Sequence, residues 1–86
     1  MSKLDLAVNV LFFARHREQM GMAACLLPIQ QNCTLAQLKQ SLIQHYPQFA
    51  SLSQPLMAAV NQDFARDDQL IQHGDEVAFF PPVTGG

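Results

Sequence analysis

The sequence predicts an α+β domain: a mixed sheet with one main helix packed on one of its faces. Three observations lead to this. Residues 4–13 alternate like a strand, residues 34–46 carry one capped amphipathic helix, and Val77-Ala78-Phe79-Phe80 form an apolar run stopped by two prolines. Several short strands with a single substantial helix between them favour a sheet covered on one side. Eighty-six residues suffice for one domain with one core.

In the first strand, Leu4, Leu6, Val8, Val10 and Phe12 fall on one face, and Asp5, Ala7 and Asn9 begin the other. That second face turns apolar at Leu11 and Phe13. A sheet face left to solvent should stay polar, so another body is expected to cover this end. Residues 14–20 are rich in helix formers and stop at Gly21, which predicts about two turns with Arg15, Arg17 and Glu18 as a solvated face. Residues 23–30 form a second strand with Cys25, Leu27 and Ile29 on one side. Pro28 inside it predicts an edge position, where its missing donor faces water.

The main helix starts with a capping box, Thr34 and Gln37, and carries the stripe Leu35, Leu38, Leu42 and Tyr46, widened by Ile43. His45 suits its C-terminal dipole, and Pro47 ends the pattern. A loop follows over residues 49–55, then a strand over 56–60 and a turn at Asn61-Gln62-Asp63. Phe64 is an isolated aromatic, suited to a short fourth strand. After a solvated turn at Arg66-Asp67-Asp68, Leu70 and Ile71 are expected to return to the core. Gly74 supplies a turn with positive φ before the last strand, residues 76–80.

Composition narrows the function. The chain is 49% apolar and only 14% charged, so either its core is well filled or apolar surface meets a partner. Net charge is −2, and Lys3, Arg15, Arg17, Lys39 and Arg66 are scattered, which argues against a nucleic-acid partner. No run approaches a membrane span and no signal-peptide pattern opens the chain, so a cytoplasmic location is expected. Cys25 and Cys33 are too far apart for a C-x-x-C motif and are expected as free thiols. His16, His45 and His73 lack metal-ligand spacing, and no phosphate loop, dinucleotide fingerprint or nucleophile elbow is present. An independent enzyme is therefore not expected.

Phe79 and Phe80 are consecutive, so each face of the last strand receives one ring. If the first and last strands are parallel neighbours, Leu11, Phe13 and Phe80 share one end of the uncovered face, and Phe64 could join them; Phe12 and Phe79 belong to the core. The tail Pro81-Pro82-Val83-Thr84-Gly85-Gly86 leaves from that end. Extended, six residues reach about 20 Å. Two readings stay open on the tail alone: a slender arm for a narrow channel, or a frayed end.

Leu11-Phe12-Phe13-Ala14-Arg15 with Arg17, Glu18 and Gly21, then Ala58-Ala59-Val60-Asn61-Gln62, and then the thirteen residues from Gly74 to Gly86 resemble the small subunits of molybdopterin synthase. The final thirteen are the most specific part, and residues 22–56 resemble the family in pattern only. The resemblance implies a ubiquitin-like β-grasp domain over residues 1–80, sheet order 2-1-5-3-4, and an extended tail over 81–86. That order agrees with the edge position of Pro28 and with a parallel central pair.

The resemblance also implies a sulfur carrier. The Gly86 carboxylate would be adenylated by an activating enzyme that uses ATP, converted by a sulfur donor to a thiocarboxylate, and would give its sulfur to a cyclic pyranopterin phosphate. Gly85 keeps the arm slim. Phe13, Phe64 and Phe80, with Leu11 and the tail residues Pro81, Pro82, Val83 and Thr84, would contact a large catalytic subunit, two small and two large subunits forming a heterotetramer. No cofactor, nucleic acid or membrane is implied for the small subunit itself. Within the same fold, the alternatives are a sulfur carrier for thiamin or tRNA thiolation and a ubiquitin-like protein modifier.

Overall fold

The computed structural model describes residues 6–52 and 54–82. Strand β1 (Ala7–Phe12) is followed by helix α1 (Arg15–Met20) and strand β2 (Ala24–Pro28). A two-residue strand β3 (Cys33–Thr34) leads into helix α2 (Leu35–His45) and a 3-10 turn (Pro47–Ser51). The remaining strands are β4 (Met57–Val60), β5 (Asp63–Phe64), β6 (Leu70–Ile71) and β7 (Glu76–Phe80).

Five strands pair in the order β2-β1-β7-β4-β5, with β1 and β7 parallel and the other pairs antiparallel. Numbered within this sheet alone, the order is 2-1-5-3-4, that of a β-grasp fold. In detail the chain differs from the expected pattern by a second small ladder, β3 with β6, which two-residue strands leave illegible in a sequence.

Strand β2 is an edge, as Pro28 predicts. The Phe12 N–H donates to the Ala23 carbonyl and the Ile29 N–H to the Leu6 carbonyl. In this antiparallel register odd positions of β2 therefore bond β1, and Pro28 faces outward, where no donor is required.

Helix α2 begins with the expected capping box: Thr34 Oγ1 accepts from the Gln37 N–H at 3.2 Å, and Gln37 Oε1 accepts from the Thr34 N–H at 2.9 Å. Its buried stripe is Leu35, Leu38 and Leu42, laid against Val8, Val10, Leu27 and Val77 of the sheet. Lys39 pairs with Asp67 at 2.7 Å across the surface, a contact of small energetic weight. Gly21 and Gly74 adopt the positive φ expected of them, +75° and +85°.

Three departures have simple causes. Phe49 belongs to a 3-10 turn and not to the loop expected over 49–55: the turn that starts at Pro47 tucks its ring into the core, 5.1 Å from Phe79 and 6.4 Å from Phe12. Only Ile71 returns to the core; Leu70 is exposed, because adjacent strand residues point to opposite sides. Asp63 opens β5 rather than ending a turn, since Asn61 and Gln62, both with positive φ, close a two-residue hairpin between β4 and β5 by themselves. No helix among the described residues is long and apolar enough to cross a membrane.

Candidate functional site

The uncovered face of the sheet is apolar at the end where β1 and β7 finish. Register aligns Leu11, Ala78, Ala59 and Phe64 in one row across β1, β7, β4 and β5. In the next row Phe80 lies opposite Met57. Phe13, one residue beyond β1, donates its N–H to the Phe79 carbonyl at 3.1 Å and so continues the ladder beside Phe80. Phe13 is 46% exposed and Phe64 79%, while Leu11 and Phe80 are half-buried. The Phe64 and Phe80 rings are tilted against each other with centroids 5.9 Å apart.

The structure thus gathers Leu11, Phe13, Phe64 and Phe80 on one face. Sequence reasoning missed the aliphatic floor between them, Ala59, Ala78 and Met57, although alternation from Ala58 and Phe79 was the signal for it. It also missed Leu26, exposed on the edge strand of the same sheet. Pro81 and Pro82 follow Phe80 directly and are half-buried; Val83, Thr84, Gly85 and Gly86 lie outside the described residues.

At its other end β7 is clamped. Asn61 Nδ2 donates to Asp75 Oδ1 at 3.0 Å, and Asn61 Oδ1 accepts from the Glu76 N–H at 3.0 Å. The Gln72 N–H donates to Asp75 Oδ2 at 2.8 Å, and the Asn61 N–H to the Glu76 carbonyl at 2.8 Å. These bonds fix the register of β7, and with it the row in which Phe80 and the prolines stand.

Among the described residues no group of His, Cys, Asp and Glu could hold a metal ion. Burial pushes the Cys33 thiol above its ordinary range. Cys25 is also raised by burial, against the opposing hydrogen bond of the Tyr46 hydroxyl. Tyr46 is raised in turn by the charge Cys25 would carry. A reactive thiol needs the reverse shift. A cavity of about 260 Å³, lined by Leu6, Ile29, Leu70, Ile71 and His73 among others, lies at the opposite end of β1.

One polar side chain stands out from this apolar setting. His16 on α1 is fully buried, and neither ring nitrogen has a hydrogen-bond partner among the described residues. Its spacing of four from buried Met20 places both on the inner face of the helix, which was the available signal.

The ThiS family model matches residues 10–86. The chain belongs to the ThiS family. Among its curated relatives is the molybdopterin synthase sulfur carrier subunit of Escherichia coli (strain K12), 41% identical over 81 residues, covering 92% of this chain and 99% of the relative. The Haemophilus influenzae protein of the same name is 38% identical over the same coverage of both chains. In fold, this ThiS-family chain is similar to small archaeal modifier protein 1 of Haloferax volcanii, with a TM-score of 0.81, 24% identity and coverage of 93% and 99%. It is also similar to a chain of the complex of subunits 1 and 2 of the molybdopterin-converting factor of Helicobacter pylori, with a TM-score of 0.65, 22% identity and coverage of 94% and 100%.

Proposed function

We propose that the chain is the sulfur-carrier subunit of molybdopterin synthase. The observation that carries this is the family match running to residue 86, together with end-to-end relatives that bear that name. In this reading residues 1–80 form the presenting domain and residues 81–86 an extended arm with the working group at its tip.

In this reading the working group is the carboxylate of Gly86. A carboxylate resists nucleophilic attack because its leaving group would be oxide. Adenylation with ATP, by a separate activating enzyme, makes AMP the leaving group. A sulfur donor then displaces AMP and leaves a thiocarboxylate. Its sulfur is nucleophilic without help from a cysteine, which suits a chain whose two thiols are pushed upward. The arm delivers the sulfur to a cyclic pyranopterin phosphate in the large subunit, and the dithiolene product takes two such deliveries.

The large subunit supplies the acid and base groups. It docks on Leu11, Phe13, Phe64 and Phe80, with Pro81, Pro82, Val83 and Thr84 entering its channel behind Gly85 and Gly86. Two small and two large subunits make the working assembly, in the cytoplasm.

Removal of Gly86 tests the reading. The shortened chain should fold with an unchanged melting temperature and still bind the large subunit, yet support no molybdopterin synthesis in a reconstituted assay. Synthesis at the full rate by the shortened chain would refute it.

A further inference from the structure

The turn between β1 and α1 contains a residue in the wrong chemistry for its backbone. Ala14 has φ 54° and ψ −133°, and the His16 N–H donates to the Phe13 carbonyl at 3.1 Å. These values describe a type II′ turn with Ala14 at its first central position, where glycine is the residue without steric penalty. The surroundings hold the turn in place. Phe12 is buried and bonded to Ala23, Phe13 is bonded to Phe79, and His16 must be inside the core three residues after Phe13.

Among the described residues positive φ also occurs at Asn32, Asn61 and Gln62, and at two glycines. Gly21 and Gly74 occupy such positions, and a Cβ built at either would meet nothing within 4 Å. At position 14 the chain keeps a methyl group instead. Ala14 is exposed and follows directly on Phe13, which ends the apolar row of the sheet face. Strain that persists at an exposed site, where a strain-free residue would fit, is a pointer to use by a partner.

We propose that the Ala14 methyl group is itself a contact for the large subunit, retained despite the backbone strain it causes. The proposal rests on the reading of the Phe13, Phe64 and Phe80 face as the docking surface. It predicts opposite signs for stability and binding in a single variant, which a purely structural role for Ala14 does not.

The experiment is Ala14→Gly in the full chain, followed by thermal unfolding and by titration with the cognate large subunit, with Phe13→Ala as a parallel variant. The melting temperature should rise by about 4 °C, net of the extra chain entropy of glycine. Affinity should fall about fourfold, the worth of one buried methyl group. A rise in melting temperature with unchanged affinity overturns the proposal, as does an unchanged or lower melting temperature. If Phe13→Ala also leaves affinity unchanged, the docking surface itself is misassigned. If Phe13→Ala weakens binding and Ala14→Gly does not, only the role of the methyl group fails.

Discussion

The two faces of the central sheet are built from the same strands and are treated in opposite ways. On the inner face Val8, Val10, Phe12, Val77 and Phe79 are sealed beneath α2 and the 3-10 turn, with three phenylalanine rings packed together. On the outer face Leu11, Phe13, Phe64 and Phe80 are just as apolar, yet Phe13 and Phe64 are exposed and Leu11 and Phe80 only half-buried. Adjacent residues of β7, Phe79 and Phe80, divide between the two. Burial on the inner face holds the fold; in the proposed function the apolar surface left on the outer face serves association. The proposed docking surface is the outer face, at the end of the sheet from which Pro81 and Pro82 leave.

Substitutions should separate the faces. Phe79→Ala should cost about 3–5 kcal/mol of stability and lower the melting temperature by roughly 12 °C or more. Phe80→Ala should cost about 1 kcal/mol or less, mostly its ring contact with Phe64, while weakening binding of the large subunit roughly thirtyfold. Thermal unfolding and titration of both variants check this pair. Equal losses of stability from the two would remove the distinction between the faces.

His16 sharpens the inner side of the comparison. A buried imidazole without a partner gives up its hydration for nothing, so His16→Leu should raise stability by about 1 kcal/mol, measured by chemical denaturation. A loss of stability would mean that the ring is satisfied in solution.

The smallest effect concerns Cys25. Its folded-state pKa is raised by burial from an ordinary value of 9.0, so the native chain holds a proton that the unfolded chain releases. That contribution is intact below the ordinary value and is lost as pH rises through the folded one. Cys33 and Tyr46 shift in the same direction. Melting temperatures should therefore fall between neutral and strongly alkaline pH, and Cys25→Ser should flatten the fall. A wild-type curve rising over that interval would contradict the sign.

Much of this was legible in the sequence because local signals and tertiary position agreed. The Thr34 and Gln37 box, the Leu35, Leu38 and Leu42 stripe and the outward Pro28 each specify one geometry. Phe13 and Phe80 declared themselves by breaking alternation on a face that should be polar. Phe49 and Ile71 were less legible, because a 3-10 turn and a two-residue ladder carry too few residues for periodicity. The burial of His16 and the strain at Ala14 were hidden for another reason: both are imposed by neighbours distant in sequence.

The central claim is that sulfur travels on the end of the arm and not on a cysteine. Intact mass spectrometry with fragmentation, after incubation with ATP, the activating enzyme and the sulfur donor, tests it most directly. The account predicts a gain equal to one oxygen exchanged for one sulfur, confined to the C-terminal peptide ending at Gly86. A whole sulfur atom added at Cys25 or Cys33, with the C-terminal peptide unchanged, would contradict it.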